Sequence, residues 1–256
     1  MDWKKIFYLG LALVWMACLC GAAESKQILF IGNSYTAQTK GALLHLLKSS
    51  PYQDAKFEFI TKGGATLQKH LQNPDIPKAI RSGDWDFVVL QEQSQTPALP
   101  GEHGESFQDS VGTFSEMIRK AGATPVLFMT WGRRDGDKRN LEIYPDYVTM
   151  QRKLADAYRR AACRNRAILA PVGEAWSLAR ESLPDDGKGL YRNDGSHPSG
   201  TGAFLGACVF FRVLFQDDLE HVRPYGMMGQ EEAMRLLEVA RQLEVSPPHS
   251  NSEPQP

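Results

Sequence analysis

The chain has 256 residues, 42% of them hydrophobic, and its 29 Lys and Arg against 30 Asp and Glu leave a formal charge of −1. With no basic excess or basic face, it lacks the electrostatic footprint of a nucleic-acid binder. The apolar content suffices for a full-sized core, which excludes a largely disordered chain.

At the start, Lys4 and Lys5 precede a near-continuous apolar run from Ile6 to Cys20, followed by Gly21, Ala22 and Ala23 and then Glu24-Ser25-Lys26. Basic, apolar and small-residue regions in that order predict a secretory signal peptide over residues 1–23. The run falls short of the about 20 apolar residues a spanning helix needs, and the residues before Cys18 and Cys20 do not form a lipobox. Cleavage leaves roughly 233 residues, the size of one compact domain over 24–245. It would be secreted or periplasmic and make no stable membrane insertion. Cys163 and Cys208 then remain, in a disulfide-permissive setting. Cys208 lies in the apolar stretch "AFLGACVFF" and reads as a buried thiol. A bridge would require the two Cα atoms within about 7 Å, which spacing alone leaves open.

Short apolar strands then alternate with longer helical patterns. Strands are expected at 28–31, 57–61, 87–90, 126–129 and 168–170. Helices are expected at 42–48, 76–81, 107–121, 147–163, 174–182, 202–215 and 229–243. This alternation predicts a three-layer α/β/α sandwich around a roughly five-stranded parallel sheet. Residues 246–256, "SPPHSNSEPQP", contain no apolar residue and read as a disordered tail.

Such a fold carries its chemistry in loops at the carboxyl ends of strands. Five stretches fall there: Asn33-Ser34, Gly63-Gly64, Gln91 to Gln95, Trp131 to Arg134, and the loop through Asp194 and His197. Ser34 sits where a helix amino end offers unpaired N–H groups. A serine there is more often a cap than a nucleophile. In "DGSHP", however, Asp194 is close enough to His197 to hold one ring nitrogen and leave the other for Ser34. Pro198 restricts His197 to an extended backbone.

Together, "IGNS" and "DGSHP" resemble the first and last motif blocks of the SGNH (GDSL-type) hydrolases, and the resemblance covers nearly the whole mature chain. It implies a flavodoxin-like SGNH hydrolase fold and a triad of Ser34, His197 and Asp194. "TKGGATL" is similar to the family's glycine block, which implies that Gly64 offers an oxyanion-hole N–H beside that of Ser34. The third block normally supplies an Asn side chain; "VVLQEQSQ" stands in its place, and the position falls on Gln93, with Gln91 as a competing assignment. A Gln amide is the same donor on one more methylene. Asn33 stands where Asp is commoner. "LQEQS" with "MTWGR" is similar to a bacterial branch of the family.

Gln91, Glu92, Trp131 and Arg133 are candidate substrate contacts, the last two opening the polar stretch "GRRDGDKRN", for which a solvated loop is the alternative. His45, His70, His103 and His221 lack metal-ligand spacing, and the Gly63-Gly64 pair lacks the rest of a phosphate loop; no metal or organic cofactor is expected. The expected activity is an exported serine esterase acting on a small acyl group, such as acetyl on a carbohydrate. The alternatives are a lysophospholipase or thioesterase on the same triad, or a catalytically impaired carbohydrate-binding protein on this fold.

Overall fold

The computed structural model describes residues 25–245. The expected signal peptide and tail lie outside the described residues. Five strands, β1 (Gln27–Gly32), β2 (Lys56–Thr61), β3 (Phe87–Leu90), β4 (Thr124–Phe128) and β5 (Ile168–Ala170), form one sheet in the order β2-β1-β3-β4-β5, parallel throughout. Eight helices connect and cover them: α1 (Ser34–Ser49), α2 (Leu67–Leu71), α3 (Asp75–Ser82), α4 (Glu102–Lys120), α5 (Tyr147–Arg164), α6 (Val172–Ser182), α7 (Gly200–Phe215) and α8 (Gln230–Gln242).

Alternation along the strands divides the core into two layers. Ile28 and Phe30, Phe87 and Val89, and Val126 and Phe128 face α1, α6, α7 and α8. Leu29 and Ile31, Val88 and Leu90, and Leu127 face α3, α4 and α5. Because both faces are covered, the strands read as unbroken apolar runs rather than as alternating patterns. The chain reverses its direction of travel across the sheet between β1 and β3, so the carboxyl ends of these two strands border the crevice where this topology binds ligands.

All five expected strands and all seven expected helices are present, with shifted boundaries. The largest shift is in α1, which begins at Ser34 rather than near Ala42. Its first turns hold Thr36, Thr39 and Gly41, weak helix formers, but Tyr35, Thr36 and Thr39 are buried there and Asn33 caps the end. β4 starts at Thr124, ahead of Pro125. A proline at the opening of a strand interrupts little of its ladder. The short helix α2 has no counterpart in the apolar pattern, and it bears directly on the site below. Among the described residues no helix is long and apolar enough to cross a membrane, and Cys163 and Cys208 are free thiols, the first exposed and the second buried.

Phe210 of α7 is the central plug of its layer, fully buried and edge-on to Phe30 at 5.3 Å and to Phe128 at 4.9 Å between ring centroids. Truncating it leaves a cavity between sheet and helix. Phe210→Ala should therefore cost about 3–5 kcal/mol, measured from urea unfolding; a loss under about 1 kcal/mol would mean that this layer repacks freely.

Candidate active site

The junction of β1 and α1 is assembled around Asn33. Its side-chain oxygen accepts from Tyr35 N–H at 3.1 Å, making Asn33 the helix cap. Its side-chain nitrogen donates to the Ala65 carbonyl at 3.1 Å, and its own N–H donates to Gln91 Oε1 at 2.8 Å. With the cap supplied by Asn33, the Ser34 hydroxyl is released from that duty. It lies 2.9 Å from His197 Nε2. Ser34 is the first residue of α1, and its N–H belongs to the end turn that lacks an intrahelical acceptor.

Asp194 uses both oxygens. Oδ2 lies 2.6 Å from His197 Nδ1, while Oδ1 accepts from the Ser196 and His197 amides, each at 2.9 Å. The "DGSH" turn is thus closed on the carboxylate that orients the imidazole. Burial alone would raise the Asp194 carboxyl, but the hydrogen bonds from the His197 ring and from the two amides outweigh it and bring it down to about 2. Gly195 carries φ +64, and an added Cβ there would come within 3.3 Å of the Arg134 guanidinium.

An aromatic column supports the histidine loop. Tyr35 stacks on Trp131 at 4.7 Å and Trp131 on Trp176 at 3.9 Å, both pairs with nearly parallel planes, and Tyr35 meets the His197 ring edge-on at 5.4 Å. Trp131 Nε1–H donates to the Ser196 carbonyl at 3.0 Å, and the Tyr35 and Ser196 hydroxyls are 2.7 Å apart. Trp131 is fully buried, so it braces the loop from below rather than facing a substrate.

The third-block loop places its residues differently from one another. Gln91 is fully buried; Oε1 accepts from Asn33 N–H and from the Thr36 hydroxyl at 2.9 Å, and the amide nitrogen donates to the Glu92 carbonyl. Its side chain is thereby directed at the β1–α1 junction, away from any substrate. Gln93 is half-buried. Its Oε1 accepts from the amides of Gln95 and Thr96, and Nε2 donates to Gln95 Oε1 at 2.9 Å, leaving its second N–H without an acceptor among the described residues. Glu92 is almost completely buried and is bound to backbone amides rather than exposed to a ligand. Gly64 sits in an exposed turn with φ +65 and open space on its Cβ side, and its N–H has no acceptor among the described residues.

Arg133 is partly exposed and pairs with Asp137 at 2.9 Å, with a longer contact to the Ser94 hydroxyl at 3.4 Å. Asp137 is buried and also gathers Gln95, Asn140 and the Arg139 amide. Burial works against its charged form, but these donors prevail and lower its pKa. The stretch "GRRDGDKRN" is therefore folded around a buried carboxylate rather than being a solvated loop.

Two residues beside the site have roles that the sequence did not disclose. His70 of α2 is buried, with Nε2 2.9 Å from the Gly32 carbonyl, so that nitrogen carries the proton. Burial, aided by Lys62, lowers its pKa and keeps the ring neutral. Tyr35, the neighbour of Ser34, links the column to the histidine loop. The sequence signal for Tyr35 was its adjacency to Ser34; His70 follows by four residues Thr66, whose hydroxyl accepts from the Lys69 N–H and caps α2. Among the described residues no three His, Cys, Asp or Glu side chains gather as metal ligands would.

No protein-family model and no curated protein sequence matches the chain. Solved structures do. A protein described as an SGNH hydrolase from Slackia heliotrinireducens is 31% identical, with a TM-score of 0.62, the match covering 74% of this chain and 99% of that one. A DUF4886 family protein from Bacteroides uniformis is 20% identical over 84% of this chain and 93% of its own, with a TM-score of 0.70. An acetyl xylan esterase is 15% identical over 72% and 98%, with a TM-score of 0.55. At their lower identities the last two speak to the fold alone.

Gln91→Ala would orphan the buried Asn33 N–H and the Thr36 hydroxyl. An unfolding measurement should show a loss of about 1–3 kcal/mol; unchanged stability would mean that water replaces the side chain without penalty.

Proposed function

Because the chain belongs to the SGNH hydrolase superfamily, we propose that it cleaves a carboxylic ester with Ser34 as nucleophile, His197 as general base and acid, and Asp194 as the group that orients the imidazole. The observation that carries this reading is the continuous relay from Ser34 Oγ through His197 Nε2 and Nδ1 to Asp194 Oδ2, with both links in hydrogen-bond range.

A serine hydroxyl becomes a competent nucleophile when a base removes its proton as it attacks. His197 Nε2 takes that proton while Ser34 Oγ bonds to the carbonyl carbon, and Asp194 stabilises the imidazolium. The imidazolium then protonates the leaving alcohol as the carbon–oxygen ester bond breaks, leaving an acyl-serine. Water, deprotonated by His197, attacks the acyl carbon, and the released proton returns to Ser34 as the acid departs. The N–H groups of Ser34 and Gly64 and the free amide N–H of Gln93 are the donors in this reading for the oxyanion formed in each half. With its carboxyl near 2, Asp194 stays ionised throughout the pH range in which the imidazole can act as base.

Secretion and a small acyl group complete the proposal. The basic, apolar and small-residue order of residues 1–23 supports export. The shared fold with an acetyl xylan esterase supports acetyl on a carbohydrate as the first substrate to try.

Ser34→Ala should abolish hydrolysis of p-nitrophenyl acetate and labelling by a fluorophosphonate probe, with the circular dichroism spectrum retained. Activity within a few-fold of the parent would remove Ser34 from the mechanism. Longer-chain esters assayed in parallel decide acyl length; faster turnover of a long-chain ester would move the reading to a lysophospholipase or thioesterase. For Gln93→Ala the expected result is a fall in kcat of about 10²–10³ with little change in KM, since the bond to an oxyanion strengthens only in the transition state. An unchanged kcat would place the third donor elsewhere.

A further inference from the structure

The turn carrying Gly63 and Gly64 is exposed, and nothing lies within 4 Å of either glycine on its Cβ side. Side-chain packing therefore does not hold Gly64 in place. Backbone ties do: the Lys62 N–H to the Gly32 carbonyl at 3.1 Å, the Ala65 carbonyl to Asn33, and the Leu67 N–H to Glu92 Oε2 at 3.1 Å. The other oxygen of the same carboxylate, Oε1, accepts from the Gln93 N–H at 2.6 Å. One side chain thus joins the loop after β2 to the loop after β3.

A buried carboxylate is an expensive way to satisfy two amides. Among the described residues no cation pairs with it, and burial raises its pKa to about 7 despite the two backbone hydrogen bonds that favour its charged form. The titratable group that couples to it is the phenol of Tyr158 on α5. On α2, Lys69 is exposed and His70 is turned to Gly32. What the carboxylate provides, and a Gln does not, is two acceptor oxygens with no donor of its own. That matches two facing N–H groups.

Resting on the serine-esterase reading above, we propose that Glu92 is a positioning residue: its carboxylate bridges the amides of Leu67 and Gln93 and so sets the spacing between the Gly64 N–H and the Gln93 side chain as a single oxyanion hole. In Glu92→Gln one of the two amides faces an NH₂ group instead of an oxygen, and the loops separate on that side. The donors then miss the oxyanion, while substrate binding, which does not require them, continues.

Two measurements test this. In the ¹⁵N-labelled wild-type protein, the Leu67 and Gln93 amide protons should titrate together with a midpoint near 7, since both report one carboxylate, and in Glu92→Gln neither should. Independent midpoints, or no titration of one amide, would break the bridge. In steady-state hydrolysis of p-nitrophenyl acetate, Glu92→Gln should lower kcat at least 10-fold with KM within about threefold and the thermal midpoint little changed. The raised pKa gives the sign for stability. The folded state holds its proton more tightly than the unfolded chain, so ionising Glu92 between about pH 4.5 and 7 removes stability as pH rises, and a neutral side chain forgoes that loss. Wild-type kcat in Glu92→Gln would overturn the proposal while leaving the Ser34 reading intact. A parent enzyme that neither hydrolyses the ester nor takes the fluorophosphonate label would overturn both, even if the two amides titrate together.

Discussion

The hydrogen bond from the Asn33 N–H to the buried Gln91 side chain is the joint on which the site is built. It ties the end of β1 to the end of β3 across the point where the sheet changes direction, and it fixes the turn from which α1 departs. The same oxygen holds Thr36 one turn into the helix. Gly32 makes this approach possible: a Cβ there would fall 2.3 Å from the Thr36 hydroxyl and 2.6 Å from Gln91 Oε1. Once the turn is set, Asn33 can cap α1, hold Ala65 of the glycine loop, and leave Ser34 free. The polar network is buried and nearly saturated, so each member fixes the geometry of the next.

From the other end of the chain, the "DGSHP" turn arrives as a preformed unit, closed on Asp194, and is seated on the aromatic column of Tyr35, Trp131 and Trp176. The column draws on three parts of the sequence: the start of α1, the loop after β4, and α6. Its rings are buried and stacked in parallel, so the histidine rests on a rigid support. Precision at Nε2 is therefore a product of apolar packing beneath the loop as much as of the polar contacts within it.

The parallel sheet and its covering helices were legible because apolar strands such as 28–31 and 87–90 are bounded by turns and separated by helical patterns. The short α2 was not, since five residues hold too little periodicity to register. Ser34, Asp194 and His197 stood out through residue type and motif, and the structure sets them in line. The other polar residues were harder to sort. Gln91 and Glu92 are buried and Gln93 half-buried in an irregular loop, and only the fold reveals that one clamps Asn33, the next bridges two amides, and the third caps a turn while keeping one N–H free. Trp131 and Arg133 are separated in sequence only by Gly132, yet the first is a brace under the histidine loop and the second pairs with a carboxylate. Sequence shows what a side chain can donate or accept; the loop path decides to whom.

Ser34 and His197 are 163 positions apart, and the histidine loop leads directly into α7, which packs against α1 and the sheet. A growing chain therefore completes β1 and its serine early, and the His197 contact forms only after most of the sheet has been made. Closing so large a loop is slow relative to forming local helices. Under the proposed mechanism this is a built-in latency: partly synthesised or partly folded forms carry the serine without its histidine, and the relay exists only in the finished molecule.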